Sequence, residues 1–164
     1  MAIRQLRYFD DEILRKKCRE VEQIDNKIRQ ILQDMADTMY HKGNGAGLAA
    51  PQVGILKRLV VIDVGNGLLK LVNPRITDFG GTQQCNEGCL SFPGIYEKVT
   101  SPEKLTVVYQ DETGAPRRLS LDGFTACVFS HEIDHLNGRL LIDRVSPLKR
   151  QFLKKKIAKR AAEK

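Results

Sequence analysis

The stretch His131-Glu132-Ile133-Asp134-His135 constrains this chain most, because two imidazoles four residues apart reach one cation together only if the backbone between them is helical. On an α-helix the i and i+4 side chains stand one above the other, within reach of a single ion at ~2.0–2.1 Å. Glu132 points away from that pair, so its carboxylate is placed to move a proton and not to bind the ion. The bland alternative is an amphipathic helix with hydrogen-bonded histidines, and it would consume two of only three His in the chain.

The remaining composition fits one folded domain over residues 1–164. A chain of that length buries ~68–70% of its unfolded surface without disulfides or a structural metal. No apolar run approaches ~18 residues, which argues against a membrane span. The first residues lack an apolar core and a small-residue cleavage site, which points to a cytoplasmic protein. In that reducing compartment Cys18, Cys85, Cys89 and Cys127 are expected as thiols or ligands, not disulfides. Charge is uneven: residues 147–164 hold eight Lys/Arg and one Glu, the whole net +7, while residues 1–146 balance 19 against 19.

Asp25 is placed to cap a helix with Ile28, Ile31, Leu32, Met35 and Met39 on one face, ending near Gly43. Gly43 to Gln52 reads as an apolar, glycine-rich loop lying close to something. Arg58–Val64 and Leu68–Val72 form a predicted hairpin across Gly65-Asn66-Gly67. Thr82–Cys85, Ile95–Val99, Lys104–Gln110 and Arg117–Leu121 are further predicted strands, with Arg139–Ile142 one more. Asp122 would cap the metal helix and Gly138 end it. Ser146-Pro147 opens a last, basic helix to about Ala162. Strands bracketed by helices without βαβ alternation indicate an α+β fold, with antiparallel sheets packed around a central metal-binding helix.

A catalytic metal site needs a third protein ligand and an open position. Cys127 shares a helical face with His131, but its Cα lies ~12 Å from that of His135, too far for one ion to bridge. It reads as a small buried hydrophobe, and Cys18 has no partner in view. Cys85 and Cys89 remain. Were both to bind, the site would be closed and structural, leaving Glu132 without a task; one cysteine is the better reading.

Three stretches, Gly45-Ala46-Gly47-Leu48-Ala49-Ala50-Pro51-Gln52, Glu87-Gly88-Cys89-Leu90-Ser91 and His131-Glu132-Ile133-Asp134-His135-Leu136-Asn137-Gly138, together resemble the motifs of peptide deformylases in order and spacing. The resemblance runs from about Ala2 to Pro147. It implies removal of formate from N-formyl-methionyl nascent peptides. It also implies a site in which Cys89, His131 and His135 hold one divalent metal ion, Fe(II) in the cell and Zn(II) or Ni(II) in purified protein. Glu132 would handle the proton, and Gln52 with the Leu90 backbone N–H would stabilise the oxyanion. Gly45 and Gly47 would pair with an extended peptide as in strand addition. One departure is Ser130, where the family commonly has Gln; it lies outside the ligand set.

Phe124 and Val128, on the helix carrying the histidines, are candidates for a methionine pocket, with core packing as their alternative. Glu87 either orients neighbouring backbone or sits on the surface, and His41 reads as a solvated helix-end residue. The basic tail is expected to meet an anionic surface, ribosomal RNA before a membrane, and the protein is expected to be a monomer. Two other classes predict differently. A metallopeptidase would cut internal amides of unformylated peptides; a structural-zinc module binding RNA would show no turnover and depend on Cys85.

Overall fold

A computed structural model describes residues 2–9, 11–43 and 45–162. Helix α1 (Asn26–Lys42) starts where predicted: Asp25 accepts a hydrogen bond from the Ile28 N–H at 3.0 Å, and Gly43 ends it at φ 81°. Strand β1 (Gly47–Ala49) follows and leads into a 3-10 turn over Ala50–Val53. This corrects the expected loop, whose Asn44 lies outside the described residues; the strand is short and takes its ladder from β2 (Leu59–Ile62). The predicted hairpin joins β2 to β3 (Leu69–Gly80), with Gly65 and Gly67 supplying positive φ. β3 runs past its expected end at Val72. It accommodates Pro74 through an irregularity at Asn73, whose φ is 52° and whose side chain grips both backbone groups of Val21 at 2.8 Å.

β4 (Gln83–Cys89) and β5 (Phe92–Ser101) form a separate two-stranded sheet, while β6 (Lys104–Gln110) and β7 (Pro116–Asp122) complete a five-stranded antiparallel sheet ordered β1-β2-β3-β6-β7. Helix α2 (Gly123–Leu136) carries the metal motif. Asp122 stands before it but makes no side-chain cap, so that expectation fails; Gly138, at φ 71°, ends it as expected. The predicted strand at Arg139–Ile142 is instead a 3-10 turn, Leu141–Arg144. Helix α3 (Pro147–Ala162) matches its predicted bounds, and Ser146 caps it by accepting from the Lys149 N–H. The last two residues of the predicted basic segment, Glu163 and Lys164, lie outside the described residues.

All four residues of β2 are buried because the sheet is covered on both faces. Leu59 and Val61 pack with α1; Val60 and Ile62 pack with Ala126, Phe129 and Ile133 of α2. On its far side α2 meets the β4–β5 hairpin through a third cluster that includes Phe92, Ile95, Val99, Leu141 and Leu153. The helix is therefore buried nearly all round, its polar Ser130, His131, Glu132 and His135 included, as an element walled in by two layers must be. In that third cluster the sulfurs of Cys85 and Cys127 are joined as a disulfide, a correction to the expectation of four thiols; Cys18 and Cys89 are free. Sequence separation hides this pair, which the packing of β4 against α2 brings together.

Candidate metal centre and active site

The helical spacing delivers what it promised. His131 and His135 are both buried, their rings nearly perpendicular, with Nε2 atoms 3.3 Å apart. The end of β4 brings Cys89, whose Sγ lies 3.4 Å from His135 Nε2, and the three donors lie within 4.8 Å of one another. Bonds of ~2.0–2.3 Å in a tetrahedral arrangement require donor separations of about 3.3–3.6 Å; the two separations that share His135 Nε2 meet this, and a small closure of Cys89 toward His131 completes a donor set of the right chemistry for a metal ion. The charges agree. Burial pulls the His131 pKa down, but Glu132, Cys89 and Glu87 reverse this and hold it well above the ordinary imidazole value. Surroundings that favour a positive charge on His131 equally favour a cation beside it. Burial and the neighbouring His131 drive His135 well below that value.

Glu87 resolves the choice left open by its sequence position. It is buried, and its Oε1 lies 2.9 Å from His131 Nδ1. That contact places the ring proton on Nδ1 and leaves Nε2 free to face the ion, as is usual for histidine ligands. Behind it, the Ser101 hydroxyl donates to Glu87 Oε2 at 3.4 Å and accepts from Arg144 Nη1 at 2.5 Å. Arg144 also donates to Asp134 Oδ2 and, at 2.7 Å, to Ser130 Oγ. The small Ser130 side chain thus leaves room for a guanidinium from the 3-10 turn. The sequence did not mark Glu87, because the strand was expected to end at Cys85; β4 runs on to Cys89, and two residues apart on it Glu87 and Cys89 share a face. Nothing local marked Ser101 or Arg144.

Glu132 sits directly beside the histidines, 4% exposed, with Oε1 lacking a hydrogen-bond partner among the described residues. Burial raises its pKa to about 7; His131 opposes this and Glu87 adds to it. A carboxyl poised there can both accept and return a proton near neutrality. β1 passes so close that a Cβ on Gly47 would stand 2.7 Å from Glu132 Cγ. Gln52 is also buried. Its Oε1 accepts from the Ala49 N–H at 2.9 Å, which turns Nε2 toward Ser91 Oγ at 3.1 Å and Cys89 Sγ at 3.4 Å.

These groups open onto a cleft of about 570 Å³. Gly45, Gly47, Leu90, Val128, Cys89, His131 and Glu132 all line it; Phe124 stands at its edge with 63% of its surface exposed. Val128 is buried and belongs to the core cluster as well, so cleft and core share it. Gln52 is not among the cleft-lining residues and reaches the centre from behind Cys89. β1 is an edge strand of the five-stranded sheet. His41 is exposed in the last turn of α1, as expected.

The polypeptide deformylase family model matches residues 3–151. Peptide deformylase 2 of Clostridium acetobutylicum is 55% identical over 146 residues, which cover 89% of this chain and 97% of that protein. The crystal structure of a peptide deformylase from Legionella pneumophila superposes with a TM-score of 0.91 at 43% identity, covering 98% of this chain and 96% of the other. A peptide deformylase of Synechococcus elongatus, solved in complex with actinonin, gives 0.87 at 46% identity, with coverage of 94% and 85%. The family match over nearly the whole chain, together with these identities and superpositions, shows that this chain belongs to that family: it is a polypeptide deformylase, a metal-dependent hydrolase that removes the formyl group from nascent peptides.

Proposed function

We propose that Cys89, His131 and His135 hold one divalent ion and that Glu132, Gln52 and Leu90 carry the hydrolysis of N-formyl-methionyl peptides in the adjoining cleft. The observation that carries this reading is the convergence of three donors beside the buried Glu132 carboxylate, whose Oε1 has no hydrogen-bond partner among the described residues, with Cys89, His131 and Glu132 lining the cleft. The ion, when bound, supplies Lewis acidity. Glu132 takes the proton from the attacking water and returns it to the leaving amine. Gln52 gives up its long contact with Cys89 and, with the Leu90 N–H, donates to the oxygen on which negative charge develops. Gly47, on the free edge of β1, and Gly45, just before it, pair with an extended peptide. The methionine side chain enters beside Val128, with Phe124 at the mouth.

Thiolate and imidazole donors suit Fe(II) and Zn(II) alike; we assign Fe(II) in the cell, with Zn(II) or Ni(II) taking its place in purified protein. The chain acts as one domain over residues 1–164 and as a cytoplasmic monomer; no described helix is long and apolar enough to cross a membrane. Residues 147–164 form the docking element for ribosomal RNA. Its support is an α3 that buries Leu153 but leaves Leu148 and Phe152 exposed among lysines. The test is formate release from formyl-Met-Ala-Ser by anaerobically prepared protein. Glu132→Gln should keep the metal and lose at least about 10²-fold in kcat. Near-normal turnover in that variant would remove Glu132 from the reaction.

A further inference from the structure

β4 and α2 run side by side in the same direction, and three residues of each meet pairwise. Along the strand, Cys85, Glu87 and Cys89 alternate onto one face; along the helix, Cys127, His131 and His135 recur every fourth residue. Cys85 is bonded to Cys127, Glu87 Oε1 lies 2.9 Å from His131 Nδ1, and Cys89 Sγ lies 3.4 Å from His135 Nε2. Two strand residues advance about 6.6–6.8 Å and four helical residues about 6.0 Å, so three such rungs stay in register within about 1.5 Å. The strand's own pairing with β5 shifts register between Gly88 and Cys89, where the ladder stops. One rung binds the metal, one orients a ligand, and one is covalent.

We infer that the Cys85–Cys127 bond is a positioning element of the metal centre, so that retention of the ion depends on the thiol state of this pair. Reduction by a dithiol turns the S–S bond into two thiols while the dithiol becomes a disulfide, with two electrons and two protons passing to the protein. Cys127 lines the cleft, which gives a reductant its approach. With the covalent rung open, Cys89 keeps its place through the Glu87–His131 contact, the Arg144 network, the packing of the third cluster and the ion, and loses the one covalent tie between strand and helix. The inference rests on the proposed Cys89, His131 and His135 centre.

The test uses Co(II)-loaded full-length protein. Alkylation and mass measurement of the air-exposed protein should find two cysteines protected; four reactive cysteines on unfolding would overturn the inference. Transfer of Co(II) to a competing chelator is then timed before and after treatment with a phosphine reductant that is removed by gel filtration. Ligand-supporting groups are generally worth about 10–100-fold in metal affinity, so reduction should speed release by about tenfold and alter the thiolate-to-cobalt absorption band. Cys85→Ala and Cys127→Ala should release at the reduced rate and ignore the reductant, with unchanged far-ultraviolet circular dichroism. The reduced wild type needs no substitution, so the comparison stands even if a variant folds poorly. Equal release rates before and after reduction overturn the positioning role. Failure of the underlying centre looks different: oxidised protein would bind no stoichiometric cobalt, or Cys89→Ala would bind it as wild type does.

Discussion

Gly47→Ala adds one methyl group at the point where β1 crosses the candidate base. Built on the backbone, that Cβ stands 2.7 Å from Glu132 Cγ, 2.8 Å from Oε2 and 3.0 Å from Cδ. Comfortable carbon contacts lie at about 3.5–4.0 Å, so something must give by close to ~1 Å. β1 cannot easily retreat, since Gly47, Leu48 and Ala49 are each paired with β2. The carboxylate, buried but without a partner at Oε1 among the described residues, is what moves. A displacement of ~1 Å costs about 10²-fold, and full loss of acid–base work about 10²–10⁴-fold, so kcat should fall within that range. Overpacking should cost about 1–3 kcal/mol of stability. Metal content should stay stoichiometric, because no ligand atom is among the methyl group's nearest contacts.

The assay is anaerobic formate release with metal analysis and thermal unfolding on the same samples. Gly45→Ala is the control: its Cβ meets the end of the half-buried Leu90 side chain at 2.8 Å, a flexible neighbour that can swing aside. A Gly47→Ala enzyme with raised KM and intact kcat would refute the steric argument and leave only the peptide-pairing role.

Three further outcomes are expected. Arg144→Met leaves Asp134 without its partly buried ion-pair partner and should cost about 1–3 kcal/mol in urea unfolding, with weaker metal retention through Ser101 and Glu87; an unchanged midpoint would show the network to be incidental. The Asp111 carboxyl, held to about 2 chiefly by the Thr113 hydroxyl, has its folded pKa below the unfolded value near 3.8. It therefore contributes stability that is present above about pH 4 and lost as pH falls through about 2, and the gap between wild type and Asp111→Asn should close across that window; a gap independent of pH would refute this. Replacing Lys154, Lys155 and Lys156 by Gln removes exposed charge without disturbing buried Leu153. Tripeptide turnover should hold while ribosome cosedimentation weakens at low salt, and undiminished cosedimentation would exclude these lysines as the docking surface.

What was legible in the sequence was local. The Asp25 and Ser146 caps, the Gly65 and Gly67 turn and the four-residue step between the histidines each depend on neighbours a few residues away, and all appear where expected. What failed or was missed depends on distant partners. β1 reads as a loop because its strand character is borrowed from β2, and its glycine is there for a glutamate 85 positions along the chain. Arg144 reads as one basic residue among many until the fold sets it between Asp134, Ser130 and Ser101. The disulfide was not expected because the compartment favours thiols, and that argument says nothing of which thiols the fold brings into contact.

The placement of α2 explains why a single helix can serve so many tasks. One flank packs on the five-stranded sheet through Ala126, Phe129 and Ile133; the other packs on the hairpin through Cys127. The candidate base is fixed by the first layer, where β1 presses on Glu132, and the third metal donor by the second, where β4 presents Cys89. The two functions thus draw on different packing clusters, so they should respond separately to perturbation. Damage to the sheet flank displaces the proton-transfer group while the donors stay converged. Damage to the hairpin flank loosens Cys89 while Glu132 keeps its place. The histidines alone are common to both, because they stand on the element the two layers share.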